Sequence, residues 1–245
     1  MNLKACLAAT FTFLAASTSA HAASLTIMNG SHNILTFEGG IGAYGHTTSL
    51  LSDNAAGWST ATSGTDVIIT EENGVDGANT AAVQSFLNAG GRVIVMGGYG
   101  TNEISFVNAV LGTSLTSTGG SAGPNYNQTA AAVGTTFADD PAVLRGLNSY
   151  HDATGTLAAN STVFYEEANG DYAVFRTAYG AGDLFYLGYD YCCGGSAAER
   201  TAWMDVLDSA IRYDGTITAP VPLPASLPLL LAGLGGVAAL RRRRG

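Results

Sequence analysis

Short β-branched or apolar runs alternate along the chain with longer stretches whose apolar positions recur at helical spacing. Asp66-Val-Ile-Ile-Thr70 is one such run. In residues 79–89 that follow, Val83, Phe86 and Leu87 share one helical face and Gly90-Gly91 is the stop. Arg92-Val-Ile-Val-Met96 reads as a second buried strand, closed by Gly97-Gly98-Tyr99-Gly100. Asn102 is placed to cap a further helix with the stripe Ile104, Val107, Val110 and Leu111, ended by Gly112. An earlier apolar run, residues 34–37, reads as another strand. Strand, helix, strand, helix predicts an α/β fold, a mostly parallel sheet with helices on both faces.

The pattern then changes. Residues 113–136, rich in Gly, Ser and Thr, read as a surface insertion. Residues 162–166 and 172–176 flank Asn169-Gly170, a hairpin turn, and residues 184–187 add a strand after the turn at 180–182. This predicts a C-terminal antiparallel meander joined to the sheet. Ser196 and Glu199 stand at capping-box spacing. Trp203, Val206, Leu207, Ala210 and Ile211 follow at core spacing, so a last helix is expected at the sheet edge.

Both ends of the chain break this pattern. Met1-Asn-Leu-Lys4 supplies a positive start, residues 5–16 an apolar run, and Ala20-His21-Ala22 a small-x-small site, the layout of a signal peptide over residues 1–22 cut after Ala22. The run is too short to span a bilayer comfortably, which favours a removed leader. At the other end Val221, Pro222, Leu223, Pro224 and Ala225 precede an apolar stretch and then Arg241, Arg242, Arg243 and Arg244. A helix over residues 225–240 would rise roughly 24 Å at about 1.5 Å per residue, slightly under the ~30 Å hydrocarbon core, a gap that snorkelling arginines can close. The arginines are expected to stay cytoplasmic by the positive-inside rule, which leaves the domain, residues 23–219, outside the inner membrane.

Setting the ends aside also changes the charge. Lys4 and the four terminal arginines are five of the ten cations, while all 19 acidic residues lie between them. Residues 23–219 therefore carry 19 acids against five arginines, a formal charge of −14, and no lysine. Such a surface repels phosphate backbones, so nucleic acid is excluded as a partner, and the acidity reads as solubility.

Two family resemblances sit on these residues. The tail VPLPASLPLLLAGLGGVAALRRRR resembles the VPLPA-CTERM class of PEP-CTERM sorting signals. That resemblance implies an exosortase-type processing enzyme as partner, anchoring in the inner membrane or release to the cell surface, and a link to extracellular polysaccharide. The order of GTDVIIT, VQSFLNAGGRVIVMGG, GAGDLFYLGYD and WMDVLDSAIRY resembles the glutamine-amidotransferase-like superfamily of flavodoxin-like domains. Active amidotransferases of that superfamily carry a cysteine nucleophile at the elbow after the strand matching residues 92–96. Here Gly98 and Tyr99 occupy that turn, without Cys or Ser, which argues against catalysis.

The remaining candidate chemistry is sparse. Glu38-Gly-Gly-Ile-Gly-Ala-Tyr-Gly-His46 follows the run at 34–37. Open α/β sheets bind ligands at strand carboxyl ends, so Glu38, His46 and Tyr99 are candidates to line one crevice, against the plainer reading of tight turns and a surface histidine. No GxGxxG opens a helix here, and no cofactor is implied. Cys192 and Cys193 are adjacent: they form a strained vicinal disulfide or inert thiols, or one is a nucleophile with a base such as His151. Acidic loops at Glu71, Glu72 and Asp76, at Asp139 and Asp140, and at Glu166 and Glu167 offer hard oxygens for calcium, but none has EF-hand spacing, and solvated turn charges explain them. No metal site is expected. The sequence thus predicts an exported, membrane-anchored or processed surface protein with a non-catalytic binding or structural domain. The alternative is an extracellular hydrolase of carbohydrate or ester substrates working through Glu38 and His46.

Overall fold

The computed structural model describes residues 22–28, 33–52, 54–64, 66–70, 77–97, 101–120, 123–147, 150–192 and 194–214. Of the expected signal peptide, residues 1–22, only Ala22 is among them, and the expected sorting tail, residues 221–245, lies outside them. Among the described residues no helix is long and apolar enough to cross a membrane.

Among the described residues, eleven strands form one sheet: β1 (Ser24–Met28), β2 (Thr47–Leu51), β3 (Val67–Thr70), β4 (Arg92–Met96), β5 (Thr116–Gly120), β6 (Asn125–Gln128), β7 (Val143–Arg145), β8 (Tyr150–Thr154), β9 (Ser161–Glu167), β10 (Tyr172–Tyr179) and β11 (Gly182–Leu187). Among the described residues four α-helices accompany them: α1 (Ala55–Gly64), α2 (Gly77–Asn88), α3 (Asn102–Leu111) and α4 (Ala197–Arg212). The first part of the sheet runs β2-β1-β3-β4-β11, and its pairings are parallel. Ranked along the chain that order is 2-1-3-4-5, the flavodoxin-like arrangement, with its switch point between β1 and β3. Antiparallel β10, β9, β6 and β7 extend it, and β5 and β8 pair beside β10.

The β3 and β4 runs are apolar at successive positions because both faces of the sheet are covered. Ile68, Val93, Val95, Leu184 and Tyr186 point to a layer holding Trp58 of α1, Val83 and Leu87 of α2, and Ile104 and Val107 of α3. Their neighbours Ile69, Ile94, Met96, Phe185 and Leu187 point to the other layer, with Trp203, Val206, Leu207 and Ala210 of α4. The last helix therefore covers a face of the sheet rather than its edge. Its capping box is formed as its sequence requires, Ser196 accepting from the Glu199 N–H and Glu199 from the Ser196 N–H.

Arg92, the first residue of β4, fastens the far end of α4. Its guanidinium donates to the carbonyls of Ala210 at 3.2 Å, Ile211 at 2.6 Å and Tyr213, and pairs with Asp183 at 3.2 Å. Cationic donors at a helix C-terminus satisfy its open carbonyls and its dipole together.

Several expectations are corrected here. Residues 34–37 are not a strand: they lie in 3-10 turns, with Phe37–Gly39 and Ile41–Tyr44 following. The chain folds back there because Gly40 has φ +78° and approaches Leu35 so closely that a Cβ would stand 2.1 Å from its carbonyl oxygen. The first strand is instead Ser24–Met28, with Leu25 and Ile27 in the core. Residues 113–136 are not a surface insertion, since they supply β5 and β6 and bury Leu115, Tyr126 and Ala132. The cap of α3 is Thr101, and Asn102 is already helical.

Candidate functional site

In this strand order ligands bind beyond the carboxyl ends of the parallel strands. The exits of β4 and β11 meet there backbone to backbone. The Gly97 N–H donates to the Leu187 carbonyl at 2.6 Å, and a Cβ on Gly97 would stand 2.8 Å from the Gly188 carbonyl carbon. Strand β8 runs beside the end of β11: the His151 N–H donates to the Gly188 carbonyl at 3.0 Å, and the Tyr186 hydroxyl to the His151 carbonyl at 2.7 Å. A Cβ at Gly188 would come within 2.4 Å of that same carbonyl oxygen. The main chain of β8 thus packs against the carboxyl end of β11.

Buried acids line this edge. Asp152 of β8 is wholly buried, and burial first, then the charges of Glu167 and Asp171, push its carboxyl up to about 7 against the opposing pull of the Tyr126 hydroxyl. Burial and the facing Asp152 in turn raise the Tyr126 phenol. Glu103, on the first turn of α3, is buried with its charge facing Tyr186. Asp190, also buried, accepts from the Cys192 N–H at 2.9 Å.

The backbone is strained at two points on this edge. Glu38 (φ 47°) and Tyr191 (φ 55°) are the described non-glycine residues with positive φ. Left-handed backbone at residues of this size persists only when the surroundings enforce it. For Tyr191 the enforcement is its buried ring, whose hydroxyl donates to the Trp203 carbonyl at 3.0 Å. For Glu38 it is an ion pair with Arg200, on the second turn of α4. Arg200 also donates to the Gly195 carbonyl at 2.9 Å and covers the Phe37 ring, which packs 6.0 Å from Tyr189 and 6.1 Å from Tyr191.

His46 is elsewhere. It immediately precedes β2, at the amino edge, and its Nε2 bonds Asp208 of α4 at 2.7 Å. Arg200 and Asp208 are eight residues apart on one helix, about 12 Å at 1.5 Å per residue. Glu38 and His46 therefore do not line one crevice, because the turns at residues 33–46 carry the chain from one edge of the sheet to the other. Tyr99 lies outside the described residues. His46 is also not a surface histidine: it is buried, and burial followed by the charge of Arg212 lowers its pKa.

Cys192 is exposed in the turn after β11, and Cys193 lies outside the described residues, so the vicinal pairing is not described either. The His151 ring is packed against Gly119 of β5. Among the described residues no group of three or more His, Cys, Asp or Glu is placed to hold a metal ion, and Glu71, Glu72 and Asp76 fall outside them. Asp140 is not a solvated turn charge. Burial pushes its carboxyl up to about 7, and it accepts from the Ser209 hydroxyl at 3.0 Å. Glu166 and Glu167 belong to β9 rather than to a turn.

The sequence reading missed Asp152, Arg200 and Asp208. Only Asp208 leaves a signal, being an acid flanked at helical spacing by Met204 and Ile211.

No family model matches the sequence, and no curated protein matches it. Solved structures do resemble the fold. A cytoplasmic protein of Salmonella typhimurium LT2 is 15% identical with a TM-score of 0.55, over 75% of this chain and 97% of its own. A ThuA-like protein of Parabacteroides merdae is 14% identical with a TM-score of 0.51, over 83% of this chain and 94% of its own. A GMP-synthase-type protein of Thermoplasma acidophilum is 9% identical with a TM-score of 0.51, over 78% of this chain and 96% of its own. With the 2-1-3-4-5 strand order, these likenesses give the chain a glutamine-amidotransferase-like, flavodoxin-like α/β fold, and at such identities they speak of fold alone.

Proposed function

We propose that this chain is an exported surface protein, anchored by or processed at its tail motif, residues 221–225, whose α/β domain binds or scaffolds rather than catalyses. One observation supports the non-catalytic part: at the carboxyl edge, where this fold places ligands, the main chain of β8 is bonded to Gly188 at the end of β11. The turn after β4 offers only Gly97, Gly98, Tyr99 and Gly100 in sequence. The hydrolase alternative loses its support, because Glu38 is engaged by Arg200 and His46 by Asp208 at opposite edges.

Export and anchoring rest on the two terminal segments, and the resemblance of the tail to sorting signals suggests an exosortase-type enzyme and an extracellular polysaccharide matrix as its setting. Fractionation and intact-mass measurement in a host with and without that enzyme test this. With it, the mature protein is expected to lose the arginines at 241–244 and to reach the surface. Without it, the full tail is expected to remain in the inner membrane. Recovery of the uncut chain in the cytoplasm would overturn the proposal. Screening against glycan and ester panels is expected to give no turnover; turnover abolished by Glu38→Gln would restore the enzyme reading.

A further inference from the structure

The surroundings of His46 have a use that the domain's fold alone does not require. The Ala23 N–H donates to His46 Nδ1 at 3.1 Å, and His46 Nε2 bonds Asp208 Oδ1 at 2.7 Å. Because Nδ1 accepts, the ring proton sits on Nε2 and is donated to the Asp208 carboxylate, which fixes one neutral tautomer. The second oxygen of Asp208 pairs with Arg212 one helical turn on. The imidazole and the carboxylate are 0% and 2% exposed. The Ala23 carbonyl meanwhile accepts from the Thr47 N–H at 3.1 Å, so this residue starts the β1–β2 ladder.

Ala23 is the residue that cleavage after Ala22 would leave first. We infer that the His46–Asp208 pair is the docking site for the mature amino terminus, an α-ammonium created at Ala23 by removal of the leader. This rests on the proposed export and cleavage. The scissile bond lies just outside the fold: Ala22 is exposed, and the next nitrogen is already bonded to His46. Cleavage replaces an amide N–H by a cationic amine with three donors. One keeps the bond to His46 Nδ1, whose partner carboxylate supplies the negative charge behind the ring, and the other two face solvent on the half-exposed side of Ala23. An ammonium donor makes a stronger bond than a neutral amide. Processing would thereby tighten the first rung of the parallel sheet, tying β1, β2 and α4 at one point. A leader cut one or two residues away would leave an overhang and carry the charge off the site.

The composition makes the test direct. Lys4 is the only lysine of the chain, so the mature protein has one primary amine, at its terminus. The exported protein is purified, its start read by intact-mass spectrometry, and the amine labelled with an amine-reactive ester at neutral pH, natively and in guanidinium chloride. A mass beginning at Ala23 and native labelling about tenfold slower than unfolded, or slower still, are expected; tenfold corresponds to a local opening free energy of about 1.4 kcal/mol. His46→Asn, which keeps an acceptor near the Nδ1 position, is expected to label more slowly than His46→Gln, which reaches Asp208 instead. Should either variant fail to fold, the wild-type ratio decides alone. Equal native and unfolded rates in protein that starts at Ala23 would overturn the docking site while leaving export intact. A mass that retains residues 1–22, or starts elsewhere, would overturn the cleavage reading and the inference with it.

Discussion

At the amino edge of the parallel sheet, buried charge is matched. Arg92 faces Asp183 and the last carbonyls of α4, and Asp208 lies between His46 and Arg212. At the carboxyl edge, Asp152 is buried among tyrosines with Glu167 and Asp171 raising it further, and Glu38 and Tyr191 hold left-handed backbone. One edge joins the termini of elements and gains stability by pairing. The other carries a buried carboxyl raised by burial and by like charges, together with strained backbone, features that cluster where ligands bind. In this chain the carboxyl edge keeps that character although β8 packs against the end of β11.

Four substitutions would break or sharpen the contrast. The largest effect is expected from Arg92→Ala, which leaves the end of α4 unfastened and Asp183 with Arg176 alone; denaturant unfolding should register a loss of about 3–5 kcal/mol. His46→Ala strips a buried charge-assisted bond from Asp208, for about 2–3 kcal/mol by the same measurement.

At the carboxyl edge the sign reverses. Asp152 is raised from its ordinary value to about 7, so between pH 4 and 7 the folded state holds a proton that the unfolded state has released. Its contribution to stability therefore falls as pH rises through that window. Asp152→Asn should stabilise the protein by roughly 1–3 kcal/mol at pH 8 and by about nothing at pH 4, read as the difference between two unfolding series. A mutant no more stable than the parent at pH 8 would mean that the edge is as well compensated as its opposite. The smallest effect is expected from Glu38→Gln, within about 1 kcal/mol, since its ion pair is partly exposed. A larger loss would place Glu38 among the stabilising pairs of the amino edge.

Legibility in the sequence followed the range of the interactions. Arg92-Val-Ile-Val-Met96 was readable because a strand buried on both faces needs apolar residues throughout, and α4 because capping box and apolar stripe are local. The run at residues 34–37 misled because its length suits a strand equally well; the decisive fact is the close approach of Gly40 to Leu35. Residues 113–136 look like an insertion by composition, yet the burial of Tyr126 depends on Trp203, 77 residues away. The pairing of Glu38 with Arg200 spans 162 positions, and so does that of His46 with Asp208, and neither residue type announces its partner.

By itself the sequence determined the alternation of strands and helices, the capped last helix and the lysine-free acidic composition of residues 23–219, because each is written in neighbouring residues or in composition. Only the tertiary structure decided that the parallel strands follow the order 2-1-3-4-5, that β8 packs against the end of β11, and that Glu38 and His46 part to opposite edges while Ala23 meets His46. Those outcomes depend on which distant segments pack together, and packing is set by the whole core at once rather than by any one stretch of chain.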